Sequence, residues 1–596
     1  MPYYLTKCIY FIILRYFTKY SKIDQKEEGM ADRRKEILNK LKFLYGNETG
    51  SATARELDAL LERYKHNIPQ KRFDFTQKDV VLITYGDGLQ NAEMKPLEAL
   101  KVFLTGYAQE IISIVHILPF FPYSSDDGFS VIDYMSVNPE LGSWDHIRDI
   151  AGSFVLMFDL VINHISAQSR EFKEFLEGNE NYRDYFIVAG PDTDISRVFR
   201  PRALPLLTRF STSWGELDLW TTFSVDQIDL NFKNPRVLLF IIDALLFYVT
   251  MGASMIRLDA IAYLWKESGT NCLHLPQTHM VVKLFRDMLE QVAPHVKILT
   301  ETNVPHKENI SYFGNGEDEA HMVYNFALPP LCAYSLLSGD ATPLTLWAGT
   351  LALPSQNTYM YNFTASHDGI GVLPARDLLT NDQIASLLLE TKRRGGKVSY
   401  KNNPDGTRSP YELNISLFDL ISDPHREEPL ERKVDRFIAS QAIALSLKGI
   451  PALYYHSLLG SRNFYEGVKK TGMNRAINRK KLDLHQLIHE LDTEGSVRNL
   501  VFLRLGQLIK SRKAFRAFHP RGTQKILSIH RAIFACERYS PDRKECVLAL
   551  INVSEEHVSL TREQPWGTDI LSGKAFDEEL SILPYGVLWL QQSPRN

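Results

Sequence analysis

The sequence predicts an α/β protein built on a (β/α)8 TIM barrel, with two inserted subdomains and a C-terminal β-sandwich domain. Three observations lead to this prediction. Eight short apolar runs alternate with helical segments, two long polar intervals interrupt the alternation, and short alternating strands follow from about residue 520. An open doubly wound sheet is the competing fold, but no glycine-rich phosphate loop follows the first strand, Val80–Tyr85.

The barrel strands are predicted at Val80–Tyr85, Ser113–Phe120, Phe154–Val161, Ser254–Ile261, Val296–Thr302, His321–Ala327, Thr358–Ala365 and Pro451–Tyr455. Helices between them are predicted at Ser143–Ala151, Pro235–Met251, His279–Val292 and Asp435–Leu447. The helix Pro235–Met251 is strongly apolar, but it is too short to cross a bilayer and carries Asp243 near its middle. We therefore expect a buried barrel helix rather than a membrane span.

The predicted barrel is discontinuous in sequence and occupies residues 75–164, 234–369 and 435–519. Residues 165–233 and 370–434 are predicted as inserted subdomains; both leave from strand carboxyl ends, where barrel enzymes hold their sites. The flanking segments are predicted as a helical pair at 30–74 and a β domain at 520–596. Residues 1–29 look foreign to the rest, and we expect Met30 to be the natural start and 1–29 a non-native or disordered extension.

Composition excludes several classes of function. With a net charge of −3 the chain has no surplus of Lys and Arg to neutralise phosphates, so we expect no nucleic-acid partner. The five cysteines are widely spaced with no C-x-x-C pair, which fits a reducing cytosol and predicts neither a zinc site nor a disulfide framework.

The apolar run Ser254–Ile261 carries two charged residues, Arg257 and Asp259. Residues i and i+2 of a strand point to the same face, so these side chains are predicted to lie side by side. A buried strand does not hold such charges without a reason. We expect Arg257 to keep Asp259 ionised, as a nucleophilic carboxylate requires, although a structural ion pair would give the same pattern.

Polar residues stand at the carboxyl ends of five predicted strands, and these ends meet at one rim of a barrel. They include Asp126, His164, Asp259, Glu301, His367 and Asp368. Each alone could be a cap or turn residue, but their convergence predicts a site.

Three carboxylates around one centre are what glycosyl transfer requires. An ionised carboxylate attacks the anomeric carbon and a protonated one gives its proton to the leaving oxygen, about 5–5.5 Å apart in retaining enzymes. We assign Asp259 as the nucleophile, its pKa kept low by Arg257, and Glu301 as the acid/base, its pKa raised by burial. Asp368 is expected to bind ring hydroxyls and to stabilise positive charge as the bond breaks.

Four segments, in this order, resemble the signature segments of the α-amylase superfamily (glycoside hydrolase family 13). They are Asp159–His164, Gly252–Asp259, Glu301 and Phe363–Asp368. More narrowly, five segments resemble the sucrose phosphorylase subfamily. They are His116–Phe121, Asp126–Phe129, Phe199–Arg202, His367–Gly371 and Ile477–Arg479. The resemblance covers about residues 75–590. It implies a retaining double displacement in which inorganic phosphate is the co-substrate, α-glucose 1-phosphate is the product, and no metal or organic cofactor takes part.

The resemblance also implies residue roles. Glucosyl hydroxyls would be held by Asp126, His164, His367 and Arg479, and Phe223 would stack on the ring. Arg202 would lie in a mobile loop near the acceptor and phosphate, with Tyr263 lining the same region. The arginines suit an acceptor that carries a carboxylate, so glucosylglycerate is the first choice of substrate, ahead of sucrose, sucrose 6′-phosphate and glucosylglycerol.

Two other functions compete with a phosphorylase. A hydrolase or transglucosidase of the same superfamily would share all three carboxylates, whereas a non-catalytic relative used for protein interaction would have lost them. The complete carboxylate set favours an enzyme. The expected partners are a small carbohydrate and phosphate, with no membrane, in a cytoplasmic monomer or homodimer.

Overall fold

Eight parallel strands close into one barrel in the computed structural model, which describes residues 32–69, 71–403 and 406–592. In chain order the strands are β1 (Val81–Thr84), β2 (Ile114–Ile117), β3 (Val155–Val161), β4 (Ala253–Asp259), β5 (Lys297–Thr300), β6 (Met322–Tyr324), β7 (Tyr359–Asn362) and β8 (Ile450–Tyr454). The barrel closes where β1 pairs in parallel with β8. The predicted (β/α)8 fold is thus confirmed, and the open sheet is excluded.

Most of the strands are shorter than predicted at their carboxyl ends. The fourth was expected to continue to Ile261 but ends at Asp259, because Ala260 turns into the left-handed region at φ 49°. In that conformation the Ala260 N–H leaves the ladder and donates to Glu301 Oε2 at 3.0 Å. The apolar runs continue past the ladders because the loops at this end are themselves buried.

Helices surround the barrel and bury their apolar sides against it. They span Pro96–Phe103, Trp144–Ala151, Pro235–Thr250, Pro276–Val292, Leu328–Ser338, Thr342–Gly349, Leu430–Ser446, Leu484–Asp492 and Val497–Ala514. All four predicted barrel helices are present, and Pro235–Thr250 is a buried barrel helix as expected. Within the described residues, no helix combines the length and the apolar character that crossing a membrane requires.

Two antiparallel helices, 32–45 and Asn47–Lys65, precede the barrel, in agreement with the predicted hairpin. Their connection needs glycine: Gly46 has a φ of 79°, and a Cβ on Gly50 would lie 2.7 Å from the Leu41 carbonyl oxygen. Lys40 and Tyr64 tie the pair to barrel helices through Asp287 (2.6 Å) and Asp243 (2.8 Å). The expectation for residues 1–29 lies outside the described part of the chain.

The two long intervals contain their own small sheets. In 165–233 the strands Val188–Ala189, Leu207–Thr212 and Gly215–Trp220 form one antiparallel sheet, and Gln227–Asp229 pairs with His164–Ser166 at the end of β3. In 370–434 the strands Ile370–Gly371, Lys397–Asn402 and Arg408–Asn414 form another, beside the helix Asn381–Arg393. Both insertions leave from the carboxyl end of a barrel strand, and both contribute residues to the cavity at that rim.

The C-terminal region is a β domain. A six-stranded sheet includes Thr523–His530, Ile533–Tyr539, Cys546–Asn552 and Val587–Gln592, and a separate pair is formed by Val558–Thr561 and Glu579–Ile582. One set of side chains, including Ile533, Leu548 and Leu590, packs with the two-stranded pair in a local core. The opposite set, including Phe534 and Trp589, belongs to the main core.

Candidate active site

A cavity opens at the carboxyl ends of the barrel strands and brings together most of the predicted site residues. Its lining includes Asp126, His164, Arg202, Phe223, Asp259, Tyr263, Glu301, His367 and Asp368. Arg257 and Arg479 are not among the lining residues; both are buried and act on the carboxylates of the cavity through ion pairs. The predicted convergence of distant segments on one site is confirmed.

Arg257 and Asp259 lie side by side on β4, as the i, i+2 spacing predicted, with Nη1 and Oδ1 3.1 Å apart. Arg257 makes a closer contact with Asp159 on the neighbouring β3, and Asp159 also accepts from His116 Nε2 at 2.7 Å. Both residues of the Arg257–Asp159 pair are almost completely buried. The guanidinium is therefore anchored by Asp159 and only partly available to Asp259.

This arrangement corrects the expectation that Arg257 keeps the pKa of Asp259 low. Burial raises the pKa of Asp259 well above its usual value, and the nearby Glu301, Asp159 and Asp368 carboxylates add to the rise, while Arg257 opposes it. The reason is geometric, because the charge of one guanidinium is divided among three carboxylates. Asp259 is therefore harder to ionise than an ordinary aspartate, and its pKa depends on the charge of Glu301.

Glu301 follows β5 and lines the same cavity as Asp259. Its Oε2 accepts the Ala260 N–H at 3.0 Å and lies 3.8 Å from Arg257 Nη2, so its carboxyl is held beside the end of β4. Burial raises the pKa of Glu301, and Asp368 adds to the rise against the opposing charge of Arg257. A raised pKa is what a general acid at neutral pH requires.

Asp368, after β7, lies beside two arginines and the imidazole of His367. Arg475 Nη1 and Arg479 Nη2 lie 2.7 and 3.6 Å from its Oδ1, and His367 Nε2 lies 3.5 Å from its Oδ2. Although burial alone would raise the pKa of Asp368, Arg475, His367 and Arg479 lower it well below the usual range. The lowered pKa favours the ionised form of Asp368, which lies in the same cavity as Asp259 and Glu301.

Asp126 lines the cavity from a strained turn, and Arg479 lies 3.6 Å from both its carboxylate and that of Asp368. Asp126 and Asp127 both have positive φ, 53° and 52°, a conformation that residues other than glycine rarely adopt. Asp126 Oδ2 pairs with Arg202 Nη2 at 3.1 Å, and Arg479 Nη1 holds Asp127 at 2.8 Å. Burial raises the pKa of Asp126, but Arg202, Arg479 and Arg475 outweigh it and lower the pKa to about 2.

Aromatic rings form one wall of the cavity. The ring of Phe223 lies 5.3 Å from those of His164 and Tyr263, and the Arg202 guanidinium stands 5.7 Å above it. His367 stacks on Phe129 at 5.1 Å, and its Nδ1 is buried with no hydrogen-bond partner among the described residues. Burial lowers the pKa of His164, and lowers that of His367 to about 3, so both imidazoles are neutral at pH 7.

Nine further residues line the cavity but were not among the residues predicted from sequence: Phe129, Pro201, Gln227, Ala260, Thr302, Asn303, Tyr411, Glu412 and Arg475. Phe129 and Asn303 stand in segments already singled out for Asp126 and Glu301, so proximity in sequence could have found them. Arg475 lies one helical turn before Arg479, which is also a usable signal. Tyr411 and Glu412 come from an insertion strand with no periodic or motif signal.

An eight-stranded barrel whose rim carries three converging carboxylates defines the class of enzymes that act on glycosidic bonds. The family model described as the alpha-amylase catalytic domain matches residues 107–363. The glucosylglycerate phosphorylase of Spirochaeta thermophila is 50% identical to this chain, and that of Escherichia coli is 45% identical. Each match covers 94% of this chain, and they cover 98% and 100% of the two relatives, respectively. The crystal structure of sucrose 6F-phosphate phosphorylase from Thermoanaerobacter thermosaccharolyticum superimposes with a TM-score of 0.70 at 26% identity, covering 85% of this chain and 98% of that one.

The chain therefore belongs to the alpha-amylase family and, within it, to the group that contains these phosphorylases.

Proposed function

We propose that this chain is a retaining glucoside phosphorylase that transfers the α-glucosyl group of glucosylglycerate to inorganic phosphate, giving α-glucose 1-phosphate and glycerate. The observation that carries the proposal is that Asp259, Glu301 and Asp368, from three separate strand ends, line one cavity. The two glucosylglycerate phosphorylases, matched over nearly their full lengths, support the choice of substrate.

In the first step Asp259 reacts as the carboxylate, the form that Arg257 favours, and its Oδ attacks the anomeric carbon as the bond to glycerate breaks. Glu301, whose raised pKa favours its protonated form, gives that proton to the departing glycerate oxygen. Asp368 stays ionised and stabilises the positive charge that develops on the sugar ring. The product of this step is a glucosyl ester of Asp259.

In the second step, phosphate attacks the anomeric carbon and releases Asp259. Glu301, now ionised, takes the proton that the attacking phosphate hydroxyl loses, so it recovers its starting state. Two inversions at the same carbon restore the α configuration. Throughout both steps Asp126, His164 and His367 are placed to bind glucosyl hydroxyls, and Phe223 offers a face to the ring.

The acceptor side must accommodate two anions in turn, glycerate and phosphate. Arg202 suits this task because it lines the cavity while its side chain is 28% exposed, so it is accessible from solvent. Its fork of N–H donors can bind either anion through two parallel hydrogen bonds. Arg202 pairs with Asp126 Oδ2 in this structure, and we propose that it exchanges part of that contact for the incoming anion.

We assign no metal or organic cofactor to the reaction, because Glu301 supplies the acid and Asp259 the nucleophile. We also assign the chain to the cytoplasm. The thiols of Cys272, Cys332 and Cys536 are buried and form no disulfide, which suits a reducing compartment.

The test is phosphate-dependent release of glucose 1-phosphate from glucosylglycerate. A phosphorylase yields glucose 1-phosphate in proportion to the glycerate formed, and little free glucose. Free glucose released equally fast without phosphate would instead identify a hydrolase. In the reverse direction, glucose 1-phosphate is offered with glycerate, glycerol, fructose or fructose 6-phosphate, and we expect the fastest phosphate release with glycerate.

A further inference from the structure

The second insertion contributes a carboxylate to the cavity, next to Asp368. Glu412 lies in the strand Arg408–Asn414, which pairs with Ile370–Gly371 immediately after Asp368. The register places Glu412 opposite Gly371, three residues beyond Asp368. Its side chain is only 3% exposed, yet it lines the cavity, so its charge must be compensated within the protein.

The compensating charge is Arg475, and it bridges the two carboxylates. Arg475 Nε donates to Glu412 Oε2 at 3.1 Å and Nη2 contacts Oε1, which is the planar two-point geometry of an arginine–carboxylate pair. The remaining nitrogen, Nη1, lies 2.7 Å from Asp368 Oδ1. Because Glu412 fixes the plane of the guanidinium, it also fixes where Nη1 meets Asp368.

Other charges face Asp368 but are held by different partners. Arg479 donates from Nε to the His367 carbonyl at 3.0 Å and from Nη1 to Asp127 at 2.8 Å, which leaves Nη2 3.6 Å from Asp368. Arg257 also acts on Asp368, and the remaining charged or titratable side chains of the cavity are Asp126, His164, Arg202, Asp259, Tyr263, Glu301, His367 and Tyr411. Among the described cations, Arg475 makes the shortest contact with the Asp368 carboxylate.

We propose that Glu412 and Arg475 are positioning residues that hold the Asp368 carboxylate in its working orientation, so that the insertion 370–434 completes the active site. The inference rests on the role of Asp368 in the proposed function. Glu412 acts only through Arg475, and Arg475 only through Asp368. The predicted order of effects is therefore fixed: loss of Arg475 is more harmful than loss of the charge on Glu412.

The kinetic signature is a loss of kcat with a smaller change in KM, because the carboxylate is needed most when charge develops on the sugar. We expect Arg475→Met to lower kcat by about 10²-fold or more, as removal of one preorganised electrostatic contact does. Glu412→Gln keeps a hydrogen-bonding side chain but removes the charge, and we expect a loss of about 10-fold.

A second signature is the acid side of the pH profile of kcat/KM. Burial favours the neutral form of Asp368, and Arg475 is the foremost of the charges that keep its pKa low. In Arg475→Met that pKa rises, so activity is lost at a higher pH as the solution is acidified. Arg475→Lys retains a charge without the planar fork, so it should lose kcat yet keep the acid side of the profile close to that of the parent.

A matched control exists in the same insertion. Glu428 forms a buried two-point pair with Arg436, at 3.0 and 2.7 Å, and it does not line the cavity. Glu428→Gln breaks an ion pair of the same kind, so it reports any general effect on stability. We expect it to lower the thermal midpoint without moving kcat or the pH profile.

The experiment compares the five proteins with α-glucosyl fluoride as donor, since fluoride leaves without a proton from Glu301 and the reaction still needs Asp259 and Asp368. The proposal is supported if Arg475→Met and Glu412→Gln lose kcat in that order and the acid limb moves only when the charge of Arg475 is removed. It is overturned if their kcat and pH profiles match those of Glu428→Gln.

If the parent consumes the fluoride but makes no glucose 1-phosphate from glucosylglycerate, the proposed function fails while this comparison still stands. If the parent consumes neither donor, both proposals fail.

Discussion

Replacing Lys266 by Met should destabilise the protein and disturb the aromatic wall of the cavity at once. Lys266 Nζ lies 2.8 Å from Asp229 Oδ2 and 2.7 Å from Asn163 Oδ1, and it also contacts the Tyr263 carbonyl. Asp229 in turn accepts from the backbone N–H and hydroxyl of Thr222. These contacts join Asn163, Thr222 and Tyr263. Because Asn163 precedes His164 and Thr222 precedes Phe223, the network supports the rings of His164, Phe223 and Tyr263.

The magnitude follows from burial. The side chains of Lys266 and Asp229 are 5% and 0% exposed, and removal of one partner from such a pair costs about 3–5 kcal/mol because the other charge is left buried. Asp229 keeps its two hydrogen bonds from Thr222, so we expect the lower end, about 3 kcal/mol. Lys266→Met/Asp229→Asn removes both charges and should recover most of that loss.

The assay is urea unfolding of the parent, the single variant and the double variant, with KM for glucosylglycerate measured alongside. We expect KM to rise in Lys266→Met because the wall around Phe223 loosens. If the free energy of unfolding of Lys266→Met lies within about 1 kcal/mol of that of the parent, the reasoning is refuted, because burying an unpaired carboxylate costs more than that.

The remaining predictions concern the carboxylates and the arginine of the cavity. Asp259→Ala should abolish glucosyl transfer, and near-normal turnover would require another nucleophile. Glu301→Gln should slow turnover of glucosylglycerate by about 10²–10⁴-fold but affect α-glucosyl fluoride far less, because fluoride needs no proton; equal losses with both donors would contradict the acid role. Burial and Asp368 raise the pKa of Glu301, so the penalty for its ionised form is absent at acid pH and grows as the pH rises through that pKa. Glu301→Gln should accordingly raise the thermal midpoint more near pH 7 than near pH 4. The opposite trend would mean that folding lowers the pKa of Glu301 rather than raising it. Arg202→Ala should raise the KM for phosphate and for glycerate, whereas binding of the glucosyl group should change less. Separate kinetic constants for donor and acceptor decide this.

The barrel was predictable because its strands are short apolar runs at regular intervals, and because Arg257 and Asp259 break one run with an i, i+2 charge pair. That spacing was enough to place the pair side by side, and the 3.1 Å contact agrees with it. The same spacing could not give the pKa of Asp259. Its direction depends on Asp159, which lies on a different strand and takes the closest contact of the guanidinium.

Glu412 shows a different limit. It is 111 residues from Glu301 in the sequence and sits in a polar insertion strand where alternation carries no signal of a site. Its position follows from the register of Arg408–Asn414 against Ile370–Gly371, a pairing that only the folded chain defines. The prediction also extended the fourth strand too far, because Ala260 turns at positive φ within a run that remains apolar.

The most direct test of the account is to find which residue carries the glucosyl group. Glu301→Gln, treated with α-glucosyl fluoride and quenched in acid, should accumulate the intermediate, because the base that assists its breakdown is missing. Cleavage after Arg257 and Lys266 releases residues 258–266, in which Asp259 is the only side-chain carboxylate. We predict that this peptide gains the mass of one anhydroglucose unit. If the donor is consumed and the added mass lies on another peptide, Asp259 is not the nucleophile and the account is contradicted.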